Sequence, residues 1–170
     1  MGVENIRNRE YELHKIIWDK FLKIHNTHLL ANNNSDRLGV YSFYIDGLHF
    51  NLAVQLLNDK YGIQVRGGCS CAGTYGHILL NVAQSESCRI TESIDNGDLS
   101  LKPGWIRMSI HPTMTNEEIY FIMNAIKELS QNHREWSNDY SYNSSNNSFL
   151  YKDNSFSLAN KQRAKAWFTN

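Results

Sequence analysis

The chain has 170 residues, of which 41% are apolar and 20% are charged, so its length and composition predict one globular domain with a substantial core and a tail. Basic and acidic residues number 17 each, and this zero net charge argues against nucleic acid or an anionic membrane as a main partner. The sequence has no apolar run long enough to span a bilayer, no apolar signal core and only three cysteines, which together predict a cytoplasmic protein without a disulfide framework.

The first half of the chain is predicted to form a helix, a strand and a second helix. Apolar residues recur every three or four positions over residues 3–25, which is typical of a long amphipathic helix. A turn is predicted at residues 32–36, NNNSD. The β-branched and aromatic residues of 39–46, GVYSFYID, predict a buried strand. Residues 49–62, HFNLAVQLLNDKYG, predict a helix that ends at its final glycine.

Two strands and a helix are predicted next. Residues 63–66, IQVR, predict a short strand with Arg66 on its less apolar face, and 104–110, GWIRMSI, alternate so that Arg107 is also on the less apolar face. TNEE at 115–118 predicts a capping box at the start of the last helix. The order of elements predicts an α+β fold, in which helices cover a small sheet of three to four strands.

Residues 136–170 are predicted to form a Ser/Asn-rich tail. Nine of the twelve residues 137–148 are serine or asparagine, which predicts loop or disorder, and 159–168 have the composition of a short basic helix. His14 and His133 lie on or just beyond predicted helices and are expected at the surface.

The segment RGGCSCAGTYGH, residues 66–77, concentrates groups that can carry chemistry. Arginines held on strands, such as Arg66 and Arg107, suit bidentate binding of a carboxylate. The two glycines after Arg66 allow a sharp turn and the close approach of a ligand. Cys71 follows that turn, and nearby guanidinium groups favour its thiolate form, the nucleophile. The alternative is a buried structural cysteine after a tight turn.

A metal centre is a separate hypothesis for this segment. Cys69, Cys71 and His77 are soft ligands, but one Cys-x-Cys lacks the second ligand pair of structural zinc sites. No metal is therefore assigned.

Two motifs together resemble a known family. RGGCSCA resembles the R-x-G-x-x-C-A pattern of class V aminotransferase-fold enzymes, particularly the group II cysteine desulfurases and selenocysteine lyases, and GWIRMSIHPTMTNEEI resembles a later signature of the same family. Two linked motifs are more specific than either one alone. The resemblance implies that residues 1–135 are the C-terminal small domain of a fold type I transferase dependent on pyridoxal phosphate (PLP), with 1–27 as the helix connecting it to the large domain.

The resemblance also implies roles for individual residues. Cys71 matches the cysteine that attacks substrate sulfur and holds it as a persulfide. Arg107 matches the arginine that binds the substrate α-carboxylate, and Arg66 matches the motif arginine that supports the cysteine loop or the substrate. Cys69 stands where desulfurases commonly have histidine.

The cofactor half of such an enzyme is not recognised in this sequence. In this family the Schiff-base lysine follows a histidine in the large domain, whereas the only His-Lys pair here, His14-Lys15, lies in the first predicted helix. The resemblance therefore implies PLP in the full-length enzyme but none bound by this chain alone, and no catalysis by this chain alone. It implies a large PLP-binding domain as partner and an amino-acid substrate, and is compatible with a homodimer. The alternative is a stand-alone sulfur-carrier or protein-docking module with a reactive Cys71.

Overall fold

The centre of the fold is a four-stranded antiparallel sheet. The computed structural model describes residues 2–69, 73–153 and 165–166. The strands are β1 (Thr27–Leu29), β2 (Val40–Ile45), β3 (Arg66–Gly68) and β4 (Trp105–Ser109), in the order β1-β2-β4-β3. β4, the last of these four strands along the chain, therefore lies inside the sheet, and β3 forms one edge.

Five helices accompany the sheet in the described part of the chain: α1 (Val3–Phe21), α2 (Phe50–Tyr61), α3 (Gly73–Leu79), α4 (Gln84–Asp95) and α5 (Asn116–Trp136). Three of them, α1, α2 and α5, pack on one face, which we call the core face. No described helix combines the length and apolar character required to cross a membrane.

The alternation of β2 explains why this face is covered. Tyr41, Phe43 and Ile45 are buried, whereas the residues between them are not. Phe21 of α1 packs edge-on against Phe43, with ring centroids 5.0 Å apart. The helices therefore cover the apolar side of each strand, and the α+β prediction is confirmed.

Local signals placed several element ends correctly. Thr115 accepts a hydrogen bond from the backbone amide of Glu118, whose carboxylate accepts one from the amide of Thr115, so the predicted capping box starts α5. Gly62 ends α2 in the left-handed region at φ 67°, a conformation that glycine adopts without steric cost.

The predicted strand at 63–66 was wrong in its extent. The amide of Ile63 donates to the Leu57 carbonyl, so it belongs to the C-terminal cap of α2. Pairing with β4 begins only at Arg66. The sequence predicted neither the strand β1 nor the helices α3 and α4.

The prediction of loop or disorder over 137–148 was also wrong. A 3-10 turn, Ser137–Asp139, leads into an antiparallel hairpin of β5 (Tyr140–Asn143) and β6 (Ser148–Tyr151). The serines and asparagines are concentrated in its turn, while aromatic residues of its strands provide packing. The predicted helix at 159–168 lies outside the described residues except for 165–166, which are helical.

Two histidines expected at the surface are buried instead. His14 is 8% exposed and its Nδ1 hydrogen-bonds with the hydroxyl of Tyr41 at 2.7 Å. His133 is 5% exposed and its Nδ1 donates to the Leu129 carbonyl at 3.2 Å. Each hydrogen bond offsets part of the cost of removing an imidazole from water.

Burial of histidine predicts a pH-dependent stability. Burial lowers the pKa of His14 and of His49, the N-cap of α2, below the usual value, and Arg37 lowers that of His14 further. The unfolded chain then binds more protons as the pH falls through roughly 6.5, so the free energy of unfolding decreases until the lowered pKa values are passed. Each histidine contributes at most about 1.4 kcal/mol per pH unit.

Urea unfolding between about pH 7.5 and about pH 5.5 measures this slope. His49→Asn, which keeps an N-cap acceptor but does not titrate, is expected to reduce the slope. His25→Asn at an exposed position is the matched control and is expected to leave it unchanged. Equal slopes in the unsubstituted protein and in both variants would contradict the assignment of the pH dependence to His49.

Candidate functional site

Two arginines lie side by side on the face of the sheet opposite α1, α2 and α5, which we call the open face. In the strand register, Arg107 of β4 is paired with Ser42 of β2 on one side and with Arg66 of β3 on the other. Directly paired residues project to the same face with Cβ atoms roughly 5 Å apart. The structure therefore brings together the two arginines that the sequence analysis selected.

This arginine pair has no acidic partner among the described residues. The ion pairs found there involve Arg9, Lys23, His28 and Arg89 instead. Arg66 is exposed and Arg107 is half-buried. Like charges directly opposite each other in a sheet are destabilising, so the pair favours the binding of an anion.

Glycines allow α2 to lie directly on the backbone next to this pair. A Cβ atom on Gly67 would be 2.9 Å from Cδ2 of Phe50 and 3.0 Å from Cγ2 of Val54, and one on Gly104 would be 2.6 Å from Cε1 of Phe50. Gly67 is thus required by helix packing rather than by the sharp turn that the sequence suggested. The turn belongs to Gly68, whose φ of 122° favours glycine.

Helix α3 covers one end of the open face. Trp105 is on that face by register but is only 5% exposed, because α3 packs over it. A Cβ atom on Gly76 would lie 3.3 Å from the Trp105 ring and 3.4 Å from Cβ of Cys69. His77 Nδ1 hydrogen-bonds with the hydroxyl of Ser87 at 2.6 Å and so links α3 to α4. One signal in the sequence could have predicted this helix. Trp105 falls on the less apolar face of β4, and an aromatic ring of that size is usually packed against another element.

The structure describes two of the three cysteines. Cys71, the predicted nucleophile, falls within 70–72 and lies outside the described residues. Cys69 is half-buried beside α3, and Cys88 is exposed on α4. The described structure therefore places the arginine pair and Cys69, which precedes Cys71 by two positions in the sequence.

Neither a metal site nor a complete cofactor site is assembled by the residues described. His, Cys, Asp and Glu side chains of the described ranges form no group of three or more that could hold a metal ion. Strands β1 to β4 contain no lysine. Lys15 is exposed on α1, which packs on the core face, and its Nζ lies 4.4 Å above the Tyr11 ring. The residues described on the open face therefore do not fit PLP as a group held by this chain alone.

The chain is similar to two solved cysteine desulfurases. The apo structure of the enzyme from Thermococcus onnurineus NA1 matches with a TM-score of 0.52 and 22% identity, over 76% of this chain and 27% of that one. The S-sulfonic acid form of CsdA from Escherichia coli matches with a TM-score of 0.48 and 17% identity, over 77% of this chain and 27% of that one. At such identity the first match supports the fold alone.

The chain therefore spans about a quarter of the length of either structure. No curated protein matches its sequence. The sequence profile of the family described as Aminotransferase class-V matches residues 1–121, well over half of the chain. This protein belongs to the class V aminotransferase family, whose full-length enzymes depend on PLP.

Proposed function

We propose that this chain is the C-terminal small domain of a cysteine desulfurase-like class V aminotransferase and supplies one half of an active site. The observation that carries the proposal is the arginine pair on the open face, without a carboxylate partner among the described residues. Arg107, in the sheet interior and half-buried, binds the substrate α-carboxylate. Arg66, on the edge strand, supports the substrate or the cysteine loop.

Cys71 is the nucleophile in this proposal. Its thiolate attacks the substrate sulfur, and a new S–S bond forms as the C–S bond of the substrate breaks. Guanidinium groups near this thiol, which the proposal takes to be those of Arg66 and Arg107, favour the thiolate over the thiol. The electron sink for the cleaved bond is the cofactor, which a large PLP-binding domain supplies.

The open face is where that large domain is expected to dock. Its exposed and half-buried residues include both arginines, whereas the core face is already covered by three helices. Residues 1–135 form the small domain in this proposal, with residues 1–27 leading to the large domain, and the assembly acts in the cytoplasm as a homodimer. The 170-residue chain alone is expected to be inactive.

Carboxylate binding by the arginine pair is directly testable. Titration of the chain with alanine, followed by NMR of backbone amides, is expected to shift β3 and β4. Ethylamine, which lacks only the carboxylate, is expected to cause no such shift. Arg107→Gln is expected to weaken alanine binding by about tenfold or more, because a charge-assisted hydrogen bond contributes about 1.5–3 kcal/mol.

Arg134→Gln is the matched control for this titration. Arg134 is exposed on α5, on the opposite side of the sheet. Alanine binding that survives Arg107→Gln but not Arg134→Gln would overturn the assignment.

The rate of alkylation tests the nucleophile. Cys71 is expected to react with iodoacetamide faster than Cys69 and Cys88 at neutral pH, and Arg66→Gln is expected to slow it by lowering the thiolate fraction. Peptide mass spectrometry assigns the label to each cysteine. Slow and equal labelling of all three would contradict the proposal. A fast Cys71 in a chain that does not bind alanine would instead favour the sulfur-carrier or docking module.

The assignment of the cofactor to a separate large domain predicts that this chain alone does not retain PLP. After incubation with PLP and gel filtration, the chain is expected to retain no cofactor absorbance and to release no sulfide from cysteine. A stable absorbance band that Lys15→Ala removes would refute the assignment of the cofactor to another domain.

A further inference from the structure

The hairpin of β5 and β6, residues 140–151, lies outside the part of the chain that matches the family and contacts the helix next to the arginine pair. We propose that this C-terminal hairpin is a positioning element, which holds the N-terminus of α2 against β3 and thereby fixes Arg66 and the backbone of residues 67–69. The importance of the hairpin for catalysis rests on the proposed function, whereas its effect on the position of β3 does not.

The turn of the hairpin is hydrogen-bonded to α2. Asn51 Nδ2 donates to the backbone carbonyl of Asn147 at 2.5 Å, across 96 positions of sequence. The Tyr142 hydroxyl donates to Oδ1 of Asn147 at 2.9 Å. Asn147 is only 8% exposed, so these partners satisfy polar groups that would be costly to bury alone.

A cluster of four rings joins the hairpin to the start of α2. The ring of His49 lies 4.4 Å from Phe50 of its own segment, and 5.6 Å and 5.2 Å from Tyr142 and Phe149 of the hairpin, between ring centroids. Nδ1 of His49 accepts a hydrogen bond from the backbone amide of Asn51 at 3.1 Å. The same ring therefore caps α2 and receives the hairpin.

The residues that receive the hairpin also touch β3. The Cβ position of Gly67 is 2.9 Å from Phe50 and 3.1 Å from Oδ1 of Asn51. The Cβ position of Gly104, just before β4, is 2.6 Å from Phe50. Because packed interiors yield little, a shift of Phe50 or Asn51 is transmitted to the backbone that follows Arg66.

The edge strand needs this support. β3 has three residues and, among the strands that the structure describes, pairs only with β4, so few hydrogen bonds define its position. The hairpin is itself anchored at two other points. The Tyr140 hydroxyl donates to Asp59 near the end of α2 at 2.8 Å, and the Leu99 amide donates to the Ser144 carbonyl at 3.0 Å. The hairpin thus contacts both ends of α2 and the segment before β4.

Hydrogen exchange measures the effect on the strand. Phe149→Ala removes a ring that packs on His49, and the amides of residues 66–69 are expected to exchange about tenfold faster. Leu150→Ala in the same strand, at a side chain 57% exposed, is the matched control and is expected to change nothing there. Phe149→Leu, which keeps the apolar bulk, is expected to restore most of the protection.

General destabilisation is separated by two further variants. Leu29→Ala at the opposite edge of the sheet lowers overall stability without touching the hairpin, and is expected to leave the exchange of 66–69 unchanged relative to other β-strand amides. Tyr142→Phe removes only the hydroxyl bonded to Asn147 and is expected to act like Phe149→Ala, by about threefold. This milder change keeps the test valid if Phe149→Ala does not fold.

Alkylation supplies the second readout. Phe149→Ala is expected to change the labelling rate of Cys71 relative to Cys88, which is exposed on α4 and serves as the internal reference. Exchange at 66–69 that does not respond to Phe149→Ala or Tyr142→Phe, or that responds equally to Leu29→Ala, would overturn the inference. Altered exchange together with absent alanine binding would refute the proposed function and leave the positioning role intact.

Discussion

The pairing of β3 with β4 is the constraint on which the candidate site depends. Arg66 is opposite Arg107 only in the observed register, and a slip of one residue would turn the side chain of Arg66 toward α2. That side is already filled, because the Phe50 ring lies against the Gly67 position. The absence of a side chain on Gly67 and the bulk of Phe50 therefore select the register that puts both guanidinium groups on the open face.

The arginine pair is costly for the chain by itself. Two like charges directly opposite each other oppose folding, and covering them with another domain would add a desolvation cost unless an anion accompanied them. A carboxylate held between the two domains of a complete enzyme would remove both costs. Removal of both costs favours the proposed role as a small domain. An arginine pair with no acidic partner in the described part of the chain is therefore more informative than either arginine alone.

Packing connects the site to parts of the chain that carry no family signature. His49 and Phe50 lie between the C-terminal hairpin and the glycine backbone of β3, on the core side of the strand that presents Arg66 on the open face. On the other flank, α3 covers Trp105 through Gly76. On both faces of the sheet near the arginine pair, helices are thus positioned by close contacts with glycine.

The sequence by itself determined the elements whose signals are local. The capping box at Thr115, the stop at Gly62 and the alternation around Arg107 each depend on residues within a few positions of one another, and all agree with the structure. The two arginines could be placed on the less apolar faces of their strands for the same reason.

Only the tertiary structure decided the features that depend on distant partners. Asn147 meets Asn51 across 96 positions, His14 is buried against Tyr41 across 27, and Trp105 requires a helix that follows a different strand. Composition predicted loop or disorder over 137–148, where the hairpin folds. An isolated two-stranded hairpin is only marginally stable, so this one depends on packing against α2, which composition does not reveal.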